Sequence, residues 1–243
     1  MYSGKYAIEH PDKPAFIMAE NGEAVSYRDY EARCNRLAHL LRAQGLEFRD
    51  HYAIFMENNV HYMESCGAGE RAGLSYTYIN SYLTADELAY IVNNSESRFL
   101  ITSQALRDVA LAALAKCPNV RLCLITDGPG ESTAVVNLDE GTAAFPDQPI
   151  GDEFRGLAML YSSGTTGKPK GILRPMGRAA PDESPPLHKF LQKLWRYREG
   201  MTFLAPAPLY HSAPQASVNF TIRFGGTNII MERFDPEKYL ALM

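Results

Sequence analysis

The sequence predicts an α/β fold built of parallel β-α-β units, and three observations carry that prediction. Short apolar runs of strand length alternate with segments of helical periodicity as far as the turn at Asp127-Gly128-Pro129-Gly130. Helix start and stop signals punctuate that alternation. Across 243 residues, 46% hydrophobic and 21% charged, there is enough apolar side chain for a sizeable core.

The elements follow in order. Ser26 precedes a helix whose apolar face reads Tyr30, Cys34, Leu37 and Leu41, with Gly45 as its stop. A strand at Tyr52–Met56 comes next, then a helix running toward Gly73. Thr84 and Glu87 have the spacing of a capping box ahead of a helix through Leu88 and Ile91. Arg98–Thr102 reads as a strand, Ser103 as the cap of a helix reaching about Ala115, and Arg121–Thr126 as another strand. Residues 128–151 are richer in Gly, Pro and Asp. They read either as a junction between two substructures or as a surface loop with one short strand at Ala134–Leu138. A further buried apolar strand is expected at Leu157–Tyr161. Arg174–Pro186 reads as an exposed connection, and Leu187–Tyr197 as an amphipathic segment in which Trp195, the single tryptophan, serves packing. Asp235 and Pro236 stand where a helix cap and first turn want them, and the helix they start has no C-terminal stop, as if cut.

Charge and cysteine usage exclude several classes. Lys and Arg total 24 and Asp and Glu 28, for a net charge of −4, which argues against a broad basic face for nucleic acid. Cys34, Cys66, Cys117 and Cys123 show no C-x-x-C spacing, so buried free thiols in a reducing compartment are expected. The start of the chain, with Lys5, Glu9, Asp12 and Lys13, does not resemble a secretory signal. Gly200–Ile222 lacks Lys, Arg, Asp and Glu, but Pro206, Pro208, His211, Pro214, Gln215 and Asn219 interrupt it. It reads as a buried wall rather than a membrane span, and the expected location is cytoplasmic.

After Leu157–Tyr161 comes Ser162-Ser163-Gly164-Thr165-Thr166-Gly167-Lys168-Pro169-Lys170-Gly171. Glycines let successive backbone N–H groups converge on one point, hydroxyls add donors, and lysine adds a mobile positive charge. Triphosphate oxygens suit such a nest, although composition alone also fits a flexible turn. Ser162 and Pro169 rule out the G-x-x-x-x-G-K-[ST] phosphate loop, and the glycine spacing rules out G-x-G-x-x-G.

The order of residues from Tyr161 to Gly171 resembles the phosphate-loop signature of the adenylate-forming enzymes, a superfamily that includes acyl-CoA synthetases, luciferases and peptide-synthetase adenylation domains. His10-Pro-Asp-Lys-Pro-Ala15, Ser26-Tyr27, and Ile79-Asn80 with Leu83-Thr84 resemble the opening of the acyl-CoA synthetase branch; Tyr76-Thr77-Tyr78 is a mild departure from it. Ala207–Pro214 resembles that branch's aromatic or His turn beside the acyl pocket.

The resemblance implies a large N-terminal adenylate-forming domain of layered sheets and helices, occupying residues 1–243 in part, with the 128–151 segment as a possible internal break. It implies ATP-dependent activation of a carboxylic acid, most simply a fatty acid, to acyl-AMP and pyrophosphate, followed by thioester formation with coenzyme A. ATP, Mg²⁺ and CoA are then the cofactors and co-substrates, and a homodimer stays open. Ser162, Ser163, Gly164, Thr165, Thr166, Gly167 and Lys170 are expected to handle the ATP phosphates. Lys168 is expected to be solvated, and Pro169 to shape the loop. His211 is expected to line or gate the site where carboxylate meets α-phosphate. The family's Tyr-Gly-x-Thr-Glu segment, its ribose-binding Asp and the small C-terminal domain with its lysine have no counterpart in these residues, so this chain alone is expected to be inactive. The alternatives are an ATP-binding module without ligase activity, and an NTPase or phosphotransferase using the same loop.

Overall fold

Parallel pairing dominates the molecule, as β-α-β units require. The computed structural model describes residues 2–162, 168–184 and 186–243. The chain opens with α1 (Gly4–Glu9), β1 (Pro14–Met18), β2 (Ala24–Ser26) and α2 (Tyr27–Ala43). Then come β3 (His51–Phe55), α3 (Tyr62–Ala72), β4 (Ser75–Tyr78), α4 (Ala85–Asn94) and β5 (Phe99–Ser103). The middle holds α5 (Arg107–Leu114), β6 (Leu122–Thr126), β7 (Val135–Asn137) and α6 (Leu138–Thr142). β8 (Leu157–Ala158), β9 (Leu160–Ser162), β10 (Lys170–Ile172) and α7 (Pro186–Trp195) follow. The last are β11 (Thr202–Ala205), α8 (Ser212–Arg223), β12 (Thr227–Ile230) and α9 (Pro236–Leu242).

Six strands in the order β7-β6-β5-β3-β4-β8 form an all-parallel sheet. Alternate side chains of its strands feed two cores, because successive residues of a strand face opposite sides. Tyr52, Ile54, Phe99, Ile101, Leu122 and Leu124 pack with α2 and α3, while Ala53, Phe55, Leu100, Cys123 and Ile125 pack with α4 and α5. The first core also takes in Phe16, Met18, Ala205 and Ile230 from a second sheet, ordered β11-β12-β1-β2. The α2–α3 layer is therefore enclosed between two sheets.

Local signals placed several helices well. The Ser26 side chain accepts from the Asp29 N–H, and both halves of the Thr84–Glu87 capping box form. Gly73 ends α3 in the left-handed region at φ 64°, and the Asp235 side chain accepts from the Lys238 N–H at 2.7 Å. All four cysteines are free and buried; burial pushes the Cys34 and Cys123 thiols up to about 12, so they remain protonated. Among the described residues no helix is long and apolar enough to cross a membrane.

Other expectations are corrected. Ser103 does not cap a helix: its hydroxyl donates to Glu57 Oε2 at 2.6 Å, a 3₁₀ turn follows, and α5 begins only at Arg107. Leu157–Tyr161 is not one buried strand. The chain leaves the sheet after β8, and Leu157, Leu160 and Tyr161 are only half-buried. Trp195 is 53% exposed, because α7 buries none of its residues. The short strand expected near residues 134–138 exists as β7, the edge strand, pairing with β6.

Close approach of α2 to α3 depends on Gly67. A Cβ there would lie 2.5 Å from both Cys34 Sγ and Tyr30 Oη, two side chains with no exposure. Gly67→Ala is expected to destabilise the fold by about 1–3 kcal/mol through overpacking, despite the better helix propensity of alanine. Urea denaturation checks this, and unchanged stability would show that the helices can separate without cost.

Candidate functional site

The phosphate-loop candidate is presented by a hairpin anchored to the edge of the parallel sheet. β8 continues that sheet through Ser75↔Leu157 and Tyr76↔Ala158. β9 then turns away and pairs antiparallel with β10, in the register Lys170↔Ser162, Gly171↔Tyr161 and Ile172↔Leu160. Ser162 and Lys170 thus stand opposite each other where the two strands meet the connecting loop, and both are exposed. Ser163, Gly164, Thr165, Thr166 and Gly167, the remaining residues expected to handle phosphate, lie outside the described residues.

Helix α4 steadies the hairpin. The Tyr90 hydroxyl donates to the Pro169 carbonyl at 3.2 Å, and Lys168 Nζ lies 5.2 Å from the Tyr90 ring centroid. Tyr161 donates to Asn94 Oδ1 at 2.7 Å. Lys168 is exposed, as expected, while its ammonium also has this aromatic face beside it. A glycine is needed at position 171, where a Cβ would come within 2.5 Å of Met159 Cε and 3.0 Å of the Tyr161 ring.

The His211 turn comes from the second sheet, between β11 and α8. His211 is the residue before α8 and is exposed; its side chain makes no capping bond, and its ring stacks at a tilt on Tyr210, 4.4 Å between centroids. Buried Asn58, just past β3, fixes the turn. Its Oδ1 accepts from the Leu209 N–H at 2.8 Å, while Nδ2 donates to the carbonyls of Met231 at 2.8 Å and Ala207 at 3.2 Å. Asn58→Ala leaves the buried Leu209 N–H without this acceptor and removes both donated bonds. It is expected to cost about 2–3 kcal/mol, measured by thermal unfolding; a loss below about 0.5 kcal/mol would show that the turn holds itself.

A cavity of about 240 Å³ lies between β9 and α8, lined by Leu160, two residues before Ser162, and by Ser212, directly after His211; Ser162, Lys170 and His211 themselves are not among its lining residues. Tyr76, Arg174, Gln215 and Asn219 add a polar wall. Behind it, buried Glu70 accepts from the Tyr76 hydroxyl at 3.2 Å and from Asn219 Nδ2 at 2.6 Å, with Arg223 Nη2 3.7 Å away. His188 of α7 also faces this cavity; burial first, and the Arg223 charge next, push its pKa down to about 4, so it is neutral near pH 7. Of these residues the sequence singled out only the His211 turn and the loop. Asn58 and Glu70 lie in mixed stretches that resemble any solvated face, while Gln215 and Asn219 stood out only as polar breaks in the Gly200–Ile222 wall.

The fold and this hairpin together define a class of protein: the α/β architecture of layered sheets and helices is that of the N-terminal domains of adenylate-forming enzymes. The chain belongs to the AMP-binding enzyme family, whose family model matches residues 5–243. It is 28% identical over 242 residues to the long-chain-fatty-acid–CoA ligase FadD13 of Mycobacterium tuberculosis, spanning 98% of this chain and 46% of that relative. It is 31% identical over 177 residues to the 3-oxocholest-4-en-26-oate–CoA ligase of Rhodococcus rhodochrous, spanning 68% of this chain and 32% of the relative. ATP-bound MatB from Rhodopseudomonas palustris superposes with a TM-score of 0.74 at 26% identity, covering 100% of this chain and 48% of that one. A protein described as a long-chain-fatty-acid CoA ligase from the same organism reaches 0.83 at 24% identity, covering 98% and 58%, and bears on the fold alone. The chain spans less than half the length of the two curated relatives.

Proposed function

We propose that the polypeptide containing these residues is an acyl-CoA synthetase, and that residues 1–243 are part of its N-terminal AMP-binding domain. A carboxylate oxygen attacks the α-phosphorus of ATP, pyrophosphate leaves, and the thiol of CoA then displaces AMP from the acyl-adenylate. The observation that carries this reading is the hairpin that sets Ser162 opposite Lys170 at the edge of the parallel sheet, next to a cavity between β9 and α8. Ser162, Ser163, Gly164, Thr165, Thr166, Gly167 and Lys170 hold the β- and γ-phosphates by hydrogen bonds and charge, a task of positioning and electrostatics rather than covalent chemistry. His211 lines the place where carboxylate meets α-phosphate. Mg²⁺ bound with ATP would offset charge on the leaving pyrophosphate.

The FadD13 and 3-oxocholest-4-en-26-oate ligase relatives support a hydrophobic acid as substrate. The cavity beside α8 is smaller than the roughly 300–1,000 Å³ of a typical ligand pocket, which suits the carboxyl end of such an acid better than its whole length. The cytoplasm is the proposed location. We also propose that the 243 residues alone do not complete thioester formation; AMP and acyl-CoA production by this chain by itself would reverse that.

Carboxylate-dependent ATP–pyrophosphate exchange by the full-length polypeptide that contains these residues, with a panel of acids, tests the main reading. Exchange that requires an acid is the expected result. Hydrolysis to ADP and phosphate with no acid present would instead identify an NTPase, and nucleotide binding without exchange would identify a binding module.

A further inference from the structure

We propose that His61, Glu64 and Asp139 form a binding site for a divalent transition-metal ion of the zinc or manganese kind, separate from the hairpin and the cavity beside α8. Each of the three offers one donor atom, and these atoms all lie within 4.8 Å of one another. A single ion with ligands at about 2.0–2.2 Å spans such separations after small side-chain adjustments.

The fold brings the three together from distant parts of the chain. His61 is the residue before α3, and Glu64 sits in the first turn of that helix, so the i, i+3 spacing puts them on one side. Asp139 arrives in the first turn of α6, after the chain has passed through β6 and β7. The site lies beyond the carboxyl ends of β3 and β6, beside the point between β3 and β5 where strand order reverses. Open parallel sheets place ligands at that edge.

Burial separates this group from an ordinary cluster of surface acids. The side chains of His61 and Glu64 are 7% and 3% exposed. Asp139 is exposed and, with Glu64, Arg33 and Arg36, lines a cavity of about 290 Å³ that gives an ion a way in and leaves room for water ligands. His61 Nδ1 lies 2.9 Å from Glu64 Oε1, the gap an ion would enter to take both as ligands, and Nε2 lies 3.5 Å from Asp127 Oδ1. A carboxylate on the non-ligating nitrogen orients a ligating histidine.

Arg33 Nη1 contacts the other Glu64 oxygen, Oε2, at 3.4 Å, leaving Oε1 on the side of the imidazole. The carboxylates also offset the positive ends of α3 and α6, which would otherwise repel a cation. One imidazole with two carboxylates suits Zn²⁺, Mn²⁺ or Co²⁺ better than Ca²⁺ or Mg²⁺, which take oxygen ligands. An ion here would tie α6 to the α2–α3 layer.

The test titrates the 243-residue chain with Zn²⁺ and Co²⁺ by calorimetry and by thermal unfolding, and records the visible absorption of bound Co²⁺. The expected result is saturable binding of one ion per chain with a melting temperature that rises with metal concentration. Asp139→Asn, a change at an exposed position that leaves the fold intact by circular dichroism, should weaken binding by at least about tenfold. Glu140→Gln, which removes the same charge one residue along α6, should leave binding unchanged. Absence of saturable binding, undiminished binding in Asp139→Asn, or equal loss in Glu140→Gln would each overturn the proposal.

Discussion

Arg71→Leu is expected to destabilise the protein by about 3–5 kcal/mol and to lower its melting temperature by roughly 6–20 °C. Arg71 lies on α3 with no exposed side-chain surface, and its guanidinium donates to Glu31 Oε2 at 3.1 Å, to Asn35 Oδ1 and to the Gly67 carbonyl. Burial alone would raise the Glu31 carboxyl. The Arg71 charge and the bonds from Arg71, Ser3 and Asn35 outweigh it and hold that carboxyl below the ordinary carboxylate range.

A carboxyl depressed in the folded state adds stability that is present above its unfolded pKa and lost as pH falls through its folded value. Leucine removes the partner and leaves a carboxylate in apolar surroundings, which is the costly way to break such a pair. Arg71→Leu with Glu31→Leu should recover much of the loss, since a well-packed apolar pair often replaces a buried ion pair without penalty. Thermal and urea unfolding of the single and double variants check this. A single-variant loss below about 1 kcal/mol would mean that water reaches Glu31.

Lys170→Ala is expected to lower carboxylate-dependent ATP–pyrophosphate exchange by about 10²–10³-fold, the usual effect of removing one group that stabilises charge developing in a transition state. Lys170 is held by strand pairing opposite Ser162, so its backbone is fixed at the end of the hairpin and its side chain is exposed there. Lys168, two residues away, lies over the Tyr90 ring on the α4 side. Lys168→Ala should change the exchange rate by no more than about fivefold, the most an exposed charge contact usually contributes. Equal losses in the two variants would show that general positive charge, rather than Lys170, matters.

Features set by neighbouring residues were readable from the sequence. Ser26 with Asp29, Thr84 with Glu87, and Asp235 with Lys238 each close a cap within three residues, so the signal and its partner stand side by side. Strands β1 and β12 escaped notice because each is short and their pairing joins Phe16 to Asn228. Ser103 resembles a cap locally, but Glu57, at the end of another strand, takes its hydroxyl. Trp195 was expected to pack because it sits in an amphipathic segment, yet α7 buries none of its residues and Trp195 is half-exposed. In the candidate site, the loop and the His211 turn stood out as motifs and Asn58 did not, since its partners Ala207, Leu209 and Met231 are distant in sequence.

The sheet that joins β1 and β2 to β11 and β12 has a consequence for biosynthesis. β1 leaves the ribosome well before β12, its parallel neighbour. Until β12 emerges, one edge of β1 has no strand to pair with, and Phe16 and Met18, buried in the folded structure, lack part of their cover. Closing so long a loop delays the contact, and an unpaired strand edge is a template for the wrong partner. The nascent chain therefore carries an aggregation-prone edge until β12 arrives, so folding yield depends on what shields β1 during that wait.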